Sequence, residues 1–186
     1  MARFAQLDAP IATIDFEASA FDGYPIEVGM AIYEPGRPFI SVWSSLIRPA
    51  KRWTMQMPWS AEAAQIHKVS REALATAPIA RDVAQQLIQL SSTIKLVFCD
   101  GIVFDRQWLG LLMAECGQKP PFRLHDLISL RKALDLPPDT SFDADDDQVE
   151  HRAAADAQGL LLRGLRLSGR FPSRENAMTR SEPGHG

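Results

Sequence analysis

Cysteine is scarce in this chain: there are two in 186 residues, Cys99 and Cys116, with no C-x-x-C pair and no secretory leader. That excludes a disulfide-stapled extracellular framework, and a reducing, cytoplasmic setting is expected. Long apolar runs are missing as well. Nothing approaches the roughly 18 consecutive apolar residues that a bilayer-crossing helix needs, so the chain is read as soluble, with no membrane partner. The four histidines, His67, His125, His151 and His185, have no zinc-ligand spacing with one another or with the cysteines. There is no Gly-rich phosphate loop and no nucleophilic serine elbow. An acidic run, Asp143-x-Asp145-x-Asp147, imitates the start of an EF-hand. Gln148 stands where glycine is required and Ala154 where the bidentate glutamate belongs, so the run is read as a solvated acidic face.

Basic charge is also in short supply. The chain has 20 Lys and Arg against 23 Asp and Glu, a net charge of −3. Residues 163–186 hold five Arg and two Glu, which leaves 15 basic and 21 acidic groups, a net −6, on residues 1–162. A broad nucleic-acid-coating surface would be basic. An acidic body can still take a phosphate at one spot if bound cations reverse the local sign.

Hydrophobic content of 46% over this length supports one well-buried domain. It is placed at 1–167, with 168–186, rich in Gly, Ser, Pro and Arg, expected as a disordered tail. β-Branched and apolar runs predict strands at 11–17, 26–33 and 39–47, a three-strand meander broken by turn-prone Phe21-Asp-Gly-Tyr-Pro25 and Glu34-Pro-Gly-Arg-Pro38. Residues 49–60 are read as a loop mixing Lys51 and Arg52 with Trp53, Met55, Met57 and Trp59. Such a loop either tucks its aromatics onto the core or stacks bases and holds phosphates. Short helical turns are expected at 60–66 and 70–75, around His67. Helices follow at 79–90, 104–116, 127–134 and about 152–165, and short strands at 95–99 and 122–124. Three strands and then alternating helices and strands describe an α/β fold, a mixed five-stranded sheet flanked by helices.

Carboxylates at particular positions carry the chemistry. Asp15 and Glu17 sit two apart on the first strand, so their side chains share a face. Two carboxylates at the end of an apolar strand either face solvent or converge on a cation, and oxygen-only donors suit Mg²⁺ or Mn²⁺. Asp105 opens its helix with Trp108 and Leu109 at i+3 and i+4, which makes it either a helix cap or the head of the inward stripe. Asp156 lies on the apolar side of the last helix, between Ala153 and Leu160, where an aspartate is a metal ligand or half of a buried ion pair. On one continuous helix His151 would stand roughly 140° from Asp156. From a loop just before the helix it could fold over the same pocket.

Together, Asp15-x-Glu17 on the first strand, Phe104-Asp105 leading into a helix, and His151 followed by Asp156 resemble the three exonuclease motifs of the DEDDh 3′–5′ exonucleases. These form the DnaQ-like branch of the ribonuclease H-like fold, and the resemblance spans roughly residues 11–162. Ile66-His67-Lys-Val-Ser70 is similar to the family's Ile-His-Gly-Ile-Thr segment, and Asp126-Leu127 to its Asp-Thr-Leu. Departures are Gly101, preceded by Asp100, where the family often has Asn, Lys68 for a common Gly, and Ala20 for the Gly after the first motif. The resemblance implies metal ligands Asp15, Glu17, Asp105 and Asp156 for two divalent cations, Mg²⁺ or Mn²⁺, with His151 as general base. A histidine's ordinary pKa of about 6.5 suits that role. It further implies hydrolysis from the 3′ end of single-stranded DNA, RNA or short oligonucleotides, with release of nucleoside 5′-monophosphates. Phe21 would stack on the terminal base, or simply pack. Ser19 and His67 would contact the terminal nucleotide. The competing class is a catalytically inactive nucleic-acid- or protein-binding module that keeps the fold. Assembly as a homodimer or as a subunit of a larger complex is left open by the exposed residues.

Overall fold

A computed structural model describes residues 9–142 and 151–171. The acidic run at 143–147 lies outside the described residues, as does the tail beyond residue 171. The described chain runs β1 (Ile11–Ala18), β2 (Pro25–Tyr33), β3 (Ile40–Leu46), α1 (Lys51–Gln56), α2 (Ala61–His67), α3 (Arg71–Thr76), α4 (Ala80–Leu90), β4 (Leu96–Phe98), α5 (Ile102–Cys116), β5 (Arg123–His125), α6 (Leu127–Leu134) and α7 (Ala153–Leu167). No helix among these residues is long and apolar enough to cross a membrane.

The five strands form one sheet in the order β3-β2-β1-β4-β5. β2 is antiparallel to β1 and to β3, whereas β4 is parallel to β1 and β5 to β4. β1 and β2 are central, which is why they are apolar almost throughout. Alternation then divides β1 between two cores. Ala12, Ile14 and Phe16 pack with Val83 and Leu87 of α4 and Leu109 and Leu112 of α5. Ile11 joins the opposite cluster with Leu130 and Leu134 of α6 and Leu160, Leu161 and Leu165 of α7. The period of two puts Asp15 and Glu17 on the α7 side.

Two contacts seat α7 on the sheet. The buried Thr13 hydroxyl donates to the Ala157 carbonyl at 2.6 Å. At Gly29, which pairs with Asp15 in the β1–β2 ladder, a side chain would lie 2.2 Å from the carbonyl carbon of Ala153. Only glycine lets the helix backbone come this close.

The sequence reading needs two corrections. Residues 51–56 are a helix rather than loop, because Trp53 drops into the core and stacks on Tyr24, ring centroids 6.2 Å apart. The helix containing Asp105 begins at Ile102 with Gly101 at its N-cap. Asp105 is therefore not a cap.

Candidate active site

β1 ends at the sheet edge with two carboxylates on one face, and the first turn of α7 brings a third to meet them. One oxygen each from Asp15, Glu17 and Asp156 lies within 4.8 Å of the others, and all three residues are half-buried. Burial pushes the Asp15 pKa well up, and Asp105, Glu17, Asp100 and Asp156 add repulsion. Burial together with Asp156 and Glu27 raises Glu17 to about 7. Asp156 is also raised, chiefly by burial, with His151 opposing. Carboxylates that destabilise one another's charge are relieved by a cation, and an all-oxygen donor set fits a hard divalent ion such as Mg²⁺ or Mn²⁺.

Asp105 stands outside that tight group, in the first turn of α5 and 2% exposed. Burial lifts its pKa to about 7, although contacts from the Cys99 thiol and the Gly101 N–H pull the other way. Its Oδ2 has no hydrogen-bond partner among the described residues. An orphaned buried carboxylate oxygen beside three others is the feature a second cation or its water would satisfy. His151 sits before the helix, as one of the two sequence placements required, with Nδ1 3.8 Å from Asp156 Oδ2 and its side chain 65% exposed.

The sequence reading missed a support behind these groups. Glu27 faces Glu17 across the β1–β2 ladder and is itself buried. Arg152, the N-cap residue of α7, meets Glu27 through two hydrogen bonds of 2.8 Å each. The only signal was a charged residue inside the apolar run Pro25-Ile-Glu27-Val28. Asp100 was noted only as a departure from the family pattern, yet it raises Asp15, Asp105 and Asp156 alike.

A largely apolar cleft of about 480 Å³ adjoins the carboxylates, lined by Phe16, Glu17, Ala20, Phe21, Ile66, His67 and Trp108 among others. Phe21 tops the β1–β2 turn, 75% exposed, and leans on Phe104 at a centroid distance of 5.1 Å. His67 is buried, its Nδ1 accepts from the Val69 N–H at 2.9 Å, and burial lowers its pKa. Its Nε2 has no partner among the described residues. The Ser19 hydroxyl is committed inside the protein. It donates to the Pro58 carbonyl at 2.8 Å and accepts from the Tyr24 N–H at 3.0 Å.

No family model matches the sequence, and no curated protein matches it either. Solved structures do. The chain is similar to exonuclease X in complex with 5′-overhanging duplex DNA, at 20% identity and a TM-score of 0.57, covering 86% of this chain and 93% of that one. It is also similar to a 3′-exonuclease recognising the 3′ end of a histone mRNA stem-loop, at 15% identity and a TM-score of 0.65, over 91% and 67% of the two chains. A full-length 3′-exonuclease matches at 15% identity and a TM-score of 0.60, over 84% and 81%. The fold is ribonuclease H-like. At these identities the likeness establishes architecture, and on that sheet two of the clustered acids, Asp15 and Glu17, stand toward the end of the central strand while Asp156 comes from α7.

Proposed function

We propose that this chain is a metal-dependent 3′–5′ exonuclease of the DEDDh type, removing nucleoside 5′-monophosphates from the 3′ end of single-stranded DNA or RNA. The observation that carries the reading is the convergence of Asp15, Glu17 and Asp156, with buried Asp105 behind them and His151 at the rim. One similar structure is a complex with 5′-overhanging duplex DNA and another concerns recognition of the 3′ end of a histone mRNA stem-loop, which supports nucleic acid as the substrate class.

Asp15, Glu17 and Asp156 would hold one divalent cation, and Asp15 with Asp105 would support a second. Bound there, such ions supply a water of lowered pKa and relief of charge on the phosphate and leaving oxygen. His151, at the rim beside Asp156, would accept a proton from the attacking water. Its Nδ1 lies toward Asp156, so Nε2 is the atom that receives it. The apolar cleft beside Glu17 takes the terminal nucleotide, with Phe21 against the base and His67, held neutral, lining the floor. Ser19 is fully buried and does not line the cleft, and its hydroxyl is already bonded on both sides, so it braces the β1–β2 turn instead of contacting the nucleotide.

The test is degradation of 5′-labelled single-stranded DNA and RNA oligonucleotides with Mn²⁺, Mg²⁺ or EDTA, for wild type and His151→Ala. Shortening from the 3′ end that is lost in EDTA and reduced by about 10²–10⁴ in the variant is expected. No shortening of either strand by folded, metal-bound protein would overturn the reading in favour of a binding module.

A further inference from the structure

A second cavity, of about 320 Å³, opens at the same edge of the sheet as the carboxylates. It lies on the β3 side, between the start of β2, the residues after β3, the end of α1 and α3. Arg48 and Arg71 line it with Tyr24, Met57 and Trp59, and its lining includes no carboxylate. In a body with net charge −6 over residues 1–162, two arginines in a wall that holds no carboxylate are a local reversal of sign, with the exposed Glu72 beside Arg71 the nearby acid that feels it.

Both guanidiniums are set in place and still able to bind. Arg48 donates through Nε to the Ala77 carbonyl at 2.9 Å, which fixes the plane of the fork and leaves its terminal nitrogens for another acceptor. Arg71 lies over the Trp59 ring, 4.8 Å from the centroid. Among the described residues, neither has a carboxylate within ion-pair distance. Forks of this kind match phosphate oxygens.

Trp59 links this cavity to the cleft beside the carboxylates. It lies beneath Arg71 and also meets His67 edge-on at 5.8 Å, and His67 lines the cleft. The two hollows therefore share a wall.

We propose that the Arg48–Arg71 cavity holds an upstream phosphate of the same strand whose 3′-terminal nucleotide sits beside the carboxylates. Apolar Met57 and Leu74 take the adjoining sugar and base edge. The proposal rests on the exonuclease reading and names where that enzyme's grip on longer strands resides.

Fluorescence anisotropy tests it, with full-length protein carrying His151→Ala in Mg²⁺. The probes are 5′-fluorescein-labelled dinucleotides and dodecamers of thymidylate and uridylate, titrated from low to physiological salt. Adding Arg48→Gln with Arg71→Gln should weaken dodecamer binding about tenfold. It should also flatten the salt dependence by about 1.4 in log–log slope, as expected for two lost contacts to a single strand. Dinucleotide binding and the thermal shift with Mn²⁺ should not move. If the double variant melts early, Arg71→Glu alone keeps the Arg48–Ala77 bond and should weaken the dodecamer at least as much. Unchanged dodecamer affinity and slope would overturn the cavity's role, as would an equal loss for both lengths. A protein that takes up Mn²⁺ but binds no dodecamer of either sugar would instead overturn the exonuclease reading, and this proposal with it.

Discussion

Glu27 and Arg152 are joined by two hydrogen bonds of 2.8 Å although 125 residues separate them. The pair ties the strand opposite Glu17 to the residue next to His151. Arg152 is partly exposed, whereas the Glu27 side chain is 3% exposed. Removing the arginine strands a buried carboxylate beside Glu17, and breaking such a pair costs more than the pair contributes.

Arg152→Ala should therefore destabilise the fold by about 3 kcal/mol or more. Glu27→Gln, which keeps the shape and some hydrogen bonding, should cost about 1–2 kcal/mol. Urea unfolding of both variants with EDTA present checks the order. Equal losses would mean the buried charge is not the source of the cost.

Asp15 is the carboxylate on which the other acids converge, and its charge opposes folding when no cation is bound. Asp15→Asn should raise the melting temperature of the metal-free protein by about 2–4 °C, as expected for a gain near 1 kcal/mol. The same variant should abolish stabilisation by Mn²⁺. Thermal melts with and without MnCl₂ read both effects.

Glu17 and Asp105 are each pushed up to about 7 by burial, from ordinary values of 4.5 and 3.8. Between roughly pH 4.5 and 7 the folded protein thus holds more protons on these groups than the unfolded chain does, and stability falls as pH rises. The metal-free protein should melt higher near pH 5 than near pH 7.5. Saturating Mn²⁺ should reverse that trend, because the ion binds the ionised carboxylates. A pH series of melts with EDTA and with Mn²⁺ checks the crossover, and Asp105→Asn should flatten the EDTA series.

Gly29→Ala would place a methyl group 2.2 Å from the backbone of Ala153, where no flexible side chain can yield. α7 must shift, and Asp156 and His151 shift with it. A loss of about 1–3 kcal/mol in stability is expected, with a larger proportional fall in metal-dependent cleavage than the fraction unfolded accounts for. Urea unfolding beside an oligonucleotide assay separates the two effects.

The parts of the site that were legible in the sequence are those set by local periodicity. Asp15 and Glu17 had to share a face because strand side chains repeat every two residues. Asp156 stood out because its helical neighbours at i−3 and i+4 are apolar. The strands followed from β-branched and apolar runs bounded by turn residues, to within a residue or two at their ends. α1 was not legible, since Lys51–Gln56 owes its helix to Trp53 finding Tyr24 in the core, a tertiary contact. The N-cap alternative for Asp105 stayed open because β-branched Ile102 and Val103 do not advertise a helix start. Glu27 and Arg152 each look like an ordinary surface charge until the fold brings them together, and the arginines after β3 and at the start of α3 are likewise neighbours only in space.

The hydrogen bond from Thr13 to Ala157 closes 144 residues of chain. A ribosome makes β1 early and α7 late, and domains settle as their segments emerge. Asp15 and Glu17 thus wait, while the 144 residues up to Ala157 are made, without the third carboxylate or the histidine. The acidic site therefore cannot assemble as a unit, or hold a cation as one, until α7 docks.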